Sequence, residues 1–412
     1  MTLAAWQRTV YAVSIAQFIA LAGANLIFPF VPFYVKELGV TDEGDVALWS
    51  GLLATATGVS LFVFAPVWGA LADRFGRKAM LLRAYAGATV VLTLQGFVQN
   101  VWQLAALRLA QGAFVGTIPA ANALVASAAP GPRVGYSLGL VQMALFLSQF
   151  VGPVVGGSLA DVAGFRATFV IAGAVYALSF LLVLTQVQES RAADARERES
   201  FVSGLRVVAA NRQLLLLVAV VFFLNGAPAF VRPIIPLLVD TFELSRPAVV
   251  SGFAFSALAA TSSVAALAVG RASDRIGYRN ALAVATLGAG AAYVPVALAN
   301  DVPLLLLSLA VVGMFSGGML PVANALIGAL SPEGRQGAAF GLAGSAQALA
   351  IAVAPLTGGA IARSFGVHTG FVVDGLGLIG VGLLVLAFVR EPAREAEPAS
   401  DAREPALSPP PR

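Results

Sequence analysis

The chain contains no cysteine and one histidine, His368. Disulfides, thiolate chemistry and cysteine-based metal sites are excluded on that ground. Charge is also scarce. Asp, Glu, Lys and Arg make up 11% of the 412 residues, against about 25% in ordinary soluble domains. A membrane enzyme would need His, Asp and Glu gathered at one depth, and there are too few to gather. No Gly-x-x-x-x-Gly-Lys-Ser/Thr stretch occurs, so ATP is not expected to power the protein. The pI near 9.7 comes from basic residues scattered over short connections. They form no stripe, and nucleic acid is not expected as a partner. No metal or other cofactor is expected.

What the chain has instead is apolar length. Hydrophobic residues make up 58% of it and the mean hydropathy is +0.86. A membrane-crossing helix needs about 20 apolar residues. Twelve such runs can be read, near 10–35, 47–71, 79–97, 102–128, 137–159, 167–187, 213–239, 248–270, 281–299, 303–330, 338–362 and 370–389. The first is too long for a secretory leader and is expected to stay as span 1. The pattern is that of an all-α polytopic membrane protein lodged in a lipid bilayer. Residues 1–187 form one group of six spans and residues 213–390 another. Between them, 188–212 is a charged linker, and 391–412 is a charged, proline-ended tail expected to be disordered. With the N-terminus inside, only Lys36, Arg166, Arg246 and Arg363 fall in outer loops, and Arg108 and Arg232 lie within spans. The other basic residues lie inside. This bias predicts that both termini are cytoplasmic.

The densest charge cluster within the hydrophobic part is Gly69-Ala70-Leu71-Ala72-Asp73-Arg74-Phe75-Gly76-Arg77-Lys78, between spans 2 and 3. A weaker copy, Gly270 to Arg279, repeats its Gly, Asp, Arg, Gly and closing cation 201 positions later. Val151 to Gly164 matches Val353 to Gly366 at an offset of 202, as Pro119 to Leu124 matches Pro321 to Leu326. Pro29-Phe-Val-Pro32 matches Pro233-Ile-Ile-Pro236 at 204. Six spans separate each pair. That number is even, so the two halves share one orientation and are related by an axis along the membrane normal.

These stretches resemble the major facilitator superfamily over about residues 10–390, and within it the 12-span drug:proton antiporter branch. Gly69-x-x-x-Asp73-Arg74-x-Gly76-Arg77-Lys78 matches the superfamily signature between spans 2 and 3. Arg108-Leu-Ala-Gln111-Gly112 matches that of span 4. Gly152-Pro153-x-x-Gly156-Gly157 matches the antiporter signature of span 5, with Ser148 where glycine is common. The stretch from Pro29 to Gly39, with Leu48-Trp-Ser-Gly51 and Gln99-Asn-Val-Trp-Gln103, is similar to multidrug and fluoroquinolone exporters of that branch. The resemblance implies the major facilitator fold: 12 transmembrane helices in two parallel-repeat six-helix bundles.

Several residues then acquire expected roles. Asp73 is placed just past the C-terminus of span 2, where the helix dipole disfavours a carboxylate. The resemblance implies that it latches the halves together at the start of span 11, near Gln336 to Phe340. Gly69 would allow the approach, Gly76 the turn, and Arg74, Arg77 and Lys78 would complete the cluster. The alternative is a solvated loop that only sets topology. Asp274 with Arg275 should make the matching contact with span 5, more weakly, because Tyr278 and Asn280 replace cations. An arginine inside a span is costly. By resemblance Arg108 serves proton coupling or ties span 4 to span 1 through Gln17 or Asn25; a structural donor role stays open. Arg232 either lines the cavity mouth or reaches the headgroups. Asp374, the one acid inside a span, is read either as interfacial beside His368 or as a proton site; Asp73 is a further proton-coupling candidate. Gly152, Pro153, Gly156 and Gly157, with Pro355 in span 11, suggest a bend and a tight span 5/span 8 seam, or ordinary packing. The fold implies a cavity wall drawn from Gln17, Asn25, Phe28, Phe114, Asn122, Gln142, Asn225, Phe230, Arg232, Phe315 and Asn324.

The expected function is secondary active export of small amphipathic, drug-like molecules by alternating access, coupled to protons, by a monomer in the cell's inner (plasma) membrane. Export of a sugar or metabolite is a second possibility. A non-transporting membrane sensor is a third, from another class.

Overall fold

A computed structural model describes residues 4–114, 116–187, 211–332 and 335–391. Most of the expected linker and all but the first residue of the expected tail lie outside the described residues, as do the side chains of Gly69, Asp73 and Asp274. Among the described residues the regular structure is helical throughout. Lipid offers no hydrogen-bond partner to the backbone, so a crossing segment must satisfy its own amides, and a helix does so.

Among the described residues twelve spans follow in order. Span 1 is a helix Ala5–Asn25, a short turn of helix Phe28–Phe30 and a helix Val31–Glu37. Spans 2 and 3 are Glu43–Phe75 and Arg77–Gln95. Span 4 is divided into Val101–Phe114 and Thr117–Ala128. Spans 5 and 6 are Val134–Ala163 and Phe165–Gln186. Span 7 is Arg212–Val231 with Ile235–Asp240. Spans 8 and 9 are Pro247–Ile276 and Tyr278–Ala297. Span 10 is Val302–Ser316 with Met319–Leu330, and spans 11 and 12 are Gln336–Phe365 and Val367–Phe388. Among the described residues eleven of these are long and apolar enough to cross a membrane by length and composition. Span 3 falls short because Arg77, Lys78 and Arg83 sit in its first two turns.

The halves break at matching places. Spans 1 and 7 both lose their helix before a Pro-x-x-Pro run, since each proline lacks an amide donor and crowds the preceding turn. Spans 4 and 10 are interrupted near Gly116 and Gly317. The connections between spans 2 and 3 and between spans 8 and 9 shrink to one glycine each, Gly76 at φ 94° and Gly277 at φ 89°. Each glycine ends one helix and starts the next, in a left-handed conformation that a side chain would strain. This corrects the expected loop: Asp73 and Asp274 lie inside the last turns of spans 2 and 8, not beyond them.

The closing cations of the two clusters have a structural task. Lys78 Nζ donates to the Leu184 and Val187 carbonyls, at 3.1 and 2.6 Å, at the end of span 6. Arg279 donates to the Leu386 carbonyl at the end of span 12. Helix-end carbonyls lack intrahelical donors and carry partial negative charge, so a cation there is favoured. Glu391 accepts from the Tyr278 and Arg279 amides, at 2.8 Å each, and caps the start of span 9.

Twelve crossings place the start of span 1 and the end of span 12 on one face, called here the terminal face; the other is the distal face.

Candidate functional site

The two halves meet along two seams that obey the repeat. On one, span 2 lies against span 11. A Cβ at Gly51 would stand 2.3 Å from the Pro355 carbonyl oxygen, and one at Gly359 would stand 2.4 Å from that of Ala47. On the other, span 8 lies against span 5. A Cβ at Gly252 would stand 2.4 Å from the Pro153 oxygen, and one at Gly157 would stand 2.3 Å from that of Ala248. The backbones therefore touch with no side chain between them, as small residues permit within a membrane. Pro153 and Pro355 hold equivalent places in the two seams. Of the span 5 signature, only Pro153 and Gly157 face span 8. Gly152 and Gly156 pack on span 1 instead, against Asn25 and Leu26. Sequence reasoning missed the span 2/span 11 seam, although Gly51 and Gly359 were visible as small residues.

Both seams run through the distal half of the spans. Towards the terminal face they end. Residues 62–67 of span 2 are exposed in succession, around the whole circumference of the helix. A helix bare on every side has lipid on one flank and open space on the other. In the terminal half of the molecule a cleft of about 530 Å³ is lined by Asn122, Ala123, Ala126, Leu138, Gly139 and Gln142. That cleft lies between spans 4 and 5 of the first half. The halves are closed together distally, whereas in the terminal parts of spans 5, 8 and 11 a Cβ at Gly135, Gly270, Gly337 or Gly344 would meet nothing within 4 Å, so there they stand apart.

Ion pairs clasp the distal face. Lys36 pairs with Asp240. Arg246 meets Asp161 at 3.3 Å and Arg363 meets Asp45 at 2.9 Å. All three join one half to the other. Arg166 meets Glu37 at 3.1 Å within the first half. The four cations that break the positive-inside pattern in the sequence are therefore the ones used in these pairs. Such partly exposed pairs contribute about 0–1 kcal/mol each. Charge sign alone, without the fold, does not show which acid each cation meets.

The axis between the halves passes where span 1 meets span 7. Lys36 and Asp240 are 204 positions apart, as are Phe28 and Arg232, and the members of each pair face each other. The Arg232 guanidinium lies 4.3 Å from the centroid of the Phe28 ring. Residues equivalent under the repeat can meet only close to the axis.

The remaining expected wall residues divide. Asn122 and Gln142 line the cleft, and Asn324 is exposed on the equivalent stretch of span 10. Gln17 does not face open space: it is fully buried and accepts a 2.6 Å bond from the Tyr85 hydroxyl. Asn25 donates to Ser148 at 3.4 Å, and Asn225 donates to the Val221 carbonyl of its own helix. Phe114 and Phe315 are wedged against Gly87 and Gly288, closing spans 4 and 10 onto spans 3 and 9. Phe230 is buried against Gly358. These six were expected to line the cavity because aromatic and amide groups suit a ligand; the helix rotations turn them into the bundles.

Arg108 is buried in the first half, with its guanidinium 5.9 Å from the Phe169 ring. Neither Gln17 nor Asn25 is its partner. Among the described residues its Nε and Nη2 have no hydrogen-bond acceptor. Asp374 is buried beside Tyr293 of span 9, and among the described residues its Oδ2 has no hydrogen-bond partner. His368 bonds instead to the Ala297 carbonyl at 2.7 Å. In the span 2/span 3 cluster, Arg77 donates to the Ala123 carbonyl at 2.8 Å, and Arg74 lies 5.4 Å from the Phe75 ring. Arg275 is exposed at the end of span 8. Position 270, equivalent to Gly69, has no atom within 4 Å of a Cβ built there.

A family model described as Major Facilitator Superfamily matches residues 13–302 and again 230–411. The multidrug resistance protein MdtG of Salmonella typhimurium is 32% identical over 371 residues, covering 89% of this chain and 92% of its own length. The protein of that name from Proteus mirabilis is 34% identical over 330 residues, covering 78% and 81%. In fold, the solved structure of the nucleoside transporter NupG superposes with a TM-score of 0.77 at 11% identity, over 92% of this chain and 98% of that one.

Proposed function

The chain belongs to the Major Facilitator Superfamily and is a multi-pass secondary transporter; from that premise we propose that it exports amphipathic, drug-like molecules across the plasma membrane, driven by protons. The observation that carries the reading is the pair of glycine seams, which close one face while the other stands open. Two bundles joined along such seams, with ion pairs and the Phe28–Arg232 contact beside them at the distal side, can rock about them. Opening the distal face requires the seams to part and the terminal half to close. The likeness to multidrug resistance proteins supports efflux as the direction. The terminal face is assigned to the cytoplasm, where the arginines gather. On that assignment the state is inward-open, and Asn122, Gln142, Asn324 and Arg232 are the residues offered to a substrate. The work is transport rather than catalysis, carried out by a monomer.

In this scheme the Asp73 cluster acts in the opposite state. When the terminal face closes, Asp73 meets the start of span 11, a helix N-terminus that favours a carboxylate. Asp274 makes the weaker equivalent contact with span 5. Arg108 and Asp374 are the buried charges that proton movement would act upon. The test is flux in proteoliposomes holding the purified chain. An imposed pH gradient should drive an amphipathic fluorescent probe against its concentration, and a protonophore should stop it. Absence of flux under gradients of both signs would remove the proposal.

A further inference from the structure

We propose that the space between the halves is built to receive organic anions, and that Arg232 takes their negative group. This names the substrate class of the transport site and rests on the transport reading.

Arg232 stands at the break of span 7, immediately before Pro233, with Phe28 of span 1 beneath its guanidinium at 4.3 Å. It is exposed although it stands where spans 1 and 7 meet at the axis between the halves, so the space it faces lies between them. Among the described residues it makes no hydrogen bond and no ion pair. A second guanidinium, that of Arg108, is buried within the first half on the other flank of the same segment. It faces Phe169, whose ring meets that of Phe30 edge-on at 5.4 Å. The Phe28–Phe30 turn thus stands between two guanidinium groups, both short of acceptors.

No carboxylate of the described residues answers them. Asp45, Asp161 and Asp240 are engaged with cations at the distal face. Asp374 faces Tyr293, on a span that packs against spans 7, 9 and 11 of its own half. Charges inside proteins are ordinarily paired, and a guanidinium within a span is costly to hold. A cavity edged by Arg232, with no anion to meet it and no acid among the described residues, disfavours a cationic guest and rewards one that brings the missing anion. The guanidinium fork fits a carboxylate or phosphonate through two parallel bonds. The Phe28 ring offers an apolar body the flat surface it needs. An anionic head on a compact apolar or aromatic frame is the ligand this arrangement describes.

Three probes sharing one pyrene frame test it: pyrenebutyrate, its neutral methyl ester, and the trimethylammonium analogue. Binding to the purified full chain is read from pyrene fluorescence. The carboxylate should bind about tenfold or more tighter than the ester, and the ammonium weakest. Arg232→Gln should cut carboxylate binding about tenfold more than ester binding, whereas Arg232→Lys should keep most of the preference. The assignment is overturned if the ammonium probe binds as well as the carboxylate, if the carboxylate does not bind, or if R232Q lowers carboxylate and ester alike. Gradient-driven flux of the ester in proteoliposomes separates the two readings. Flux without carboxylate preference sinks the anion assignment alone. Carboxylate-selective binding without flux of any probe sinks transport alone.

Discussion

Placing alanine at both Gly51 and Gly252 should drive the two halves apart at the distal face. The added Cβ atoms would lie 2.3 and 2.4 Å from the Pro355 and Pro153 carbonyl oxygens. Ordinary contact begins near 3.4 Å, so each pair of backbones must separate by about 1 Å. Neither oxygen is the end of a flexible side chain, so no rotamer change relieves the clash. Overpacking of this kind costs about 1–3 kcal/mol per site. The sites lie on different seams and share no partner, so their effects add, to about 2–6 kcal/mol. The seams exist only while the distal face is closed, and the cost therefore falls on that state. Even the lower figure shifts the balance between states about thirtyfold. The chain has no cysteine, so spin labels can be placed at will. Thr41 and Thr241, exposed at the distal ends of spans 2 and 7, would report the separation by electron-electron resonance. The double variant should gain a long-distance population absent from the parent. Gly377→Ala with Gly380→Ala, exposed positions on span 12 with nothing within 4 Å, should leave the distribution unchanged. A folded G51A/G252A protein with the parent's distance distribution would refute the view that these seams hold the distal face shut.

The ion pairs give a gentler version of the same test. Lys36→Asp should loosen the distal face by about 1 kcal/mol, and adding Asp240→Lys should restore it, as seen with the same labels; no recovery would show that the pair does not contribute. Gly87→Ala should destabilise the first half by about 1–3 kcal/mol in thermal unfolding, because the new Cβ meets the Phe114 ring, and Phe114→Leu should recover part of the loss. Glu391→Gln weakens the cap on span 9 and should cost about 0.5–2 kcal/mol in the same assay, with little effect on the first half. Asp73→Asn should abolish efflux while the protein stays in the membrane; undiminished efflux would remove the latch.

Periodicity and repetition in one dimension were enough for much of this molecule. Long apolar runs must become helices in lipid, because nothing else satisfies their amides, so the spans and their order were legible. The offsets of 201 to 204 were legible too, and they imply an axis between two like halves. Local breaks followed from Pro29, Pro32, Pro233 and Pro236, since proline acts on its own turn. The direction in which a side chain points was not legible. Nearly every position in such spans is apolar, so the bundle-facing and lipid-facing sides of a helix look alike in sequence. Gln17, Phe114 and Phe315 were therefore expected at the cavity and are found turned into their bundles.

Rotation and contact across the halves belonged to the tertiary structure alone. It brought Phe28 beneath Arg232 and Lys36 to Asp240, because equivalent residues converge only where the axis passes. It paired Gly51 with Pro355 as closely as Gly252 with Pro153. Among the described residues it left Arg232 and Arg108 without an acid, a fact about neighbours that residue order cannot state. The amino-acid order determined how many helices there are, where they bend and that they come twice. Packing in three dimensions decided which face is shut and which charges are spent holding it.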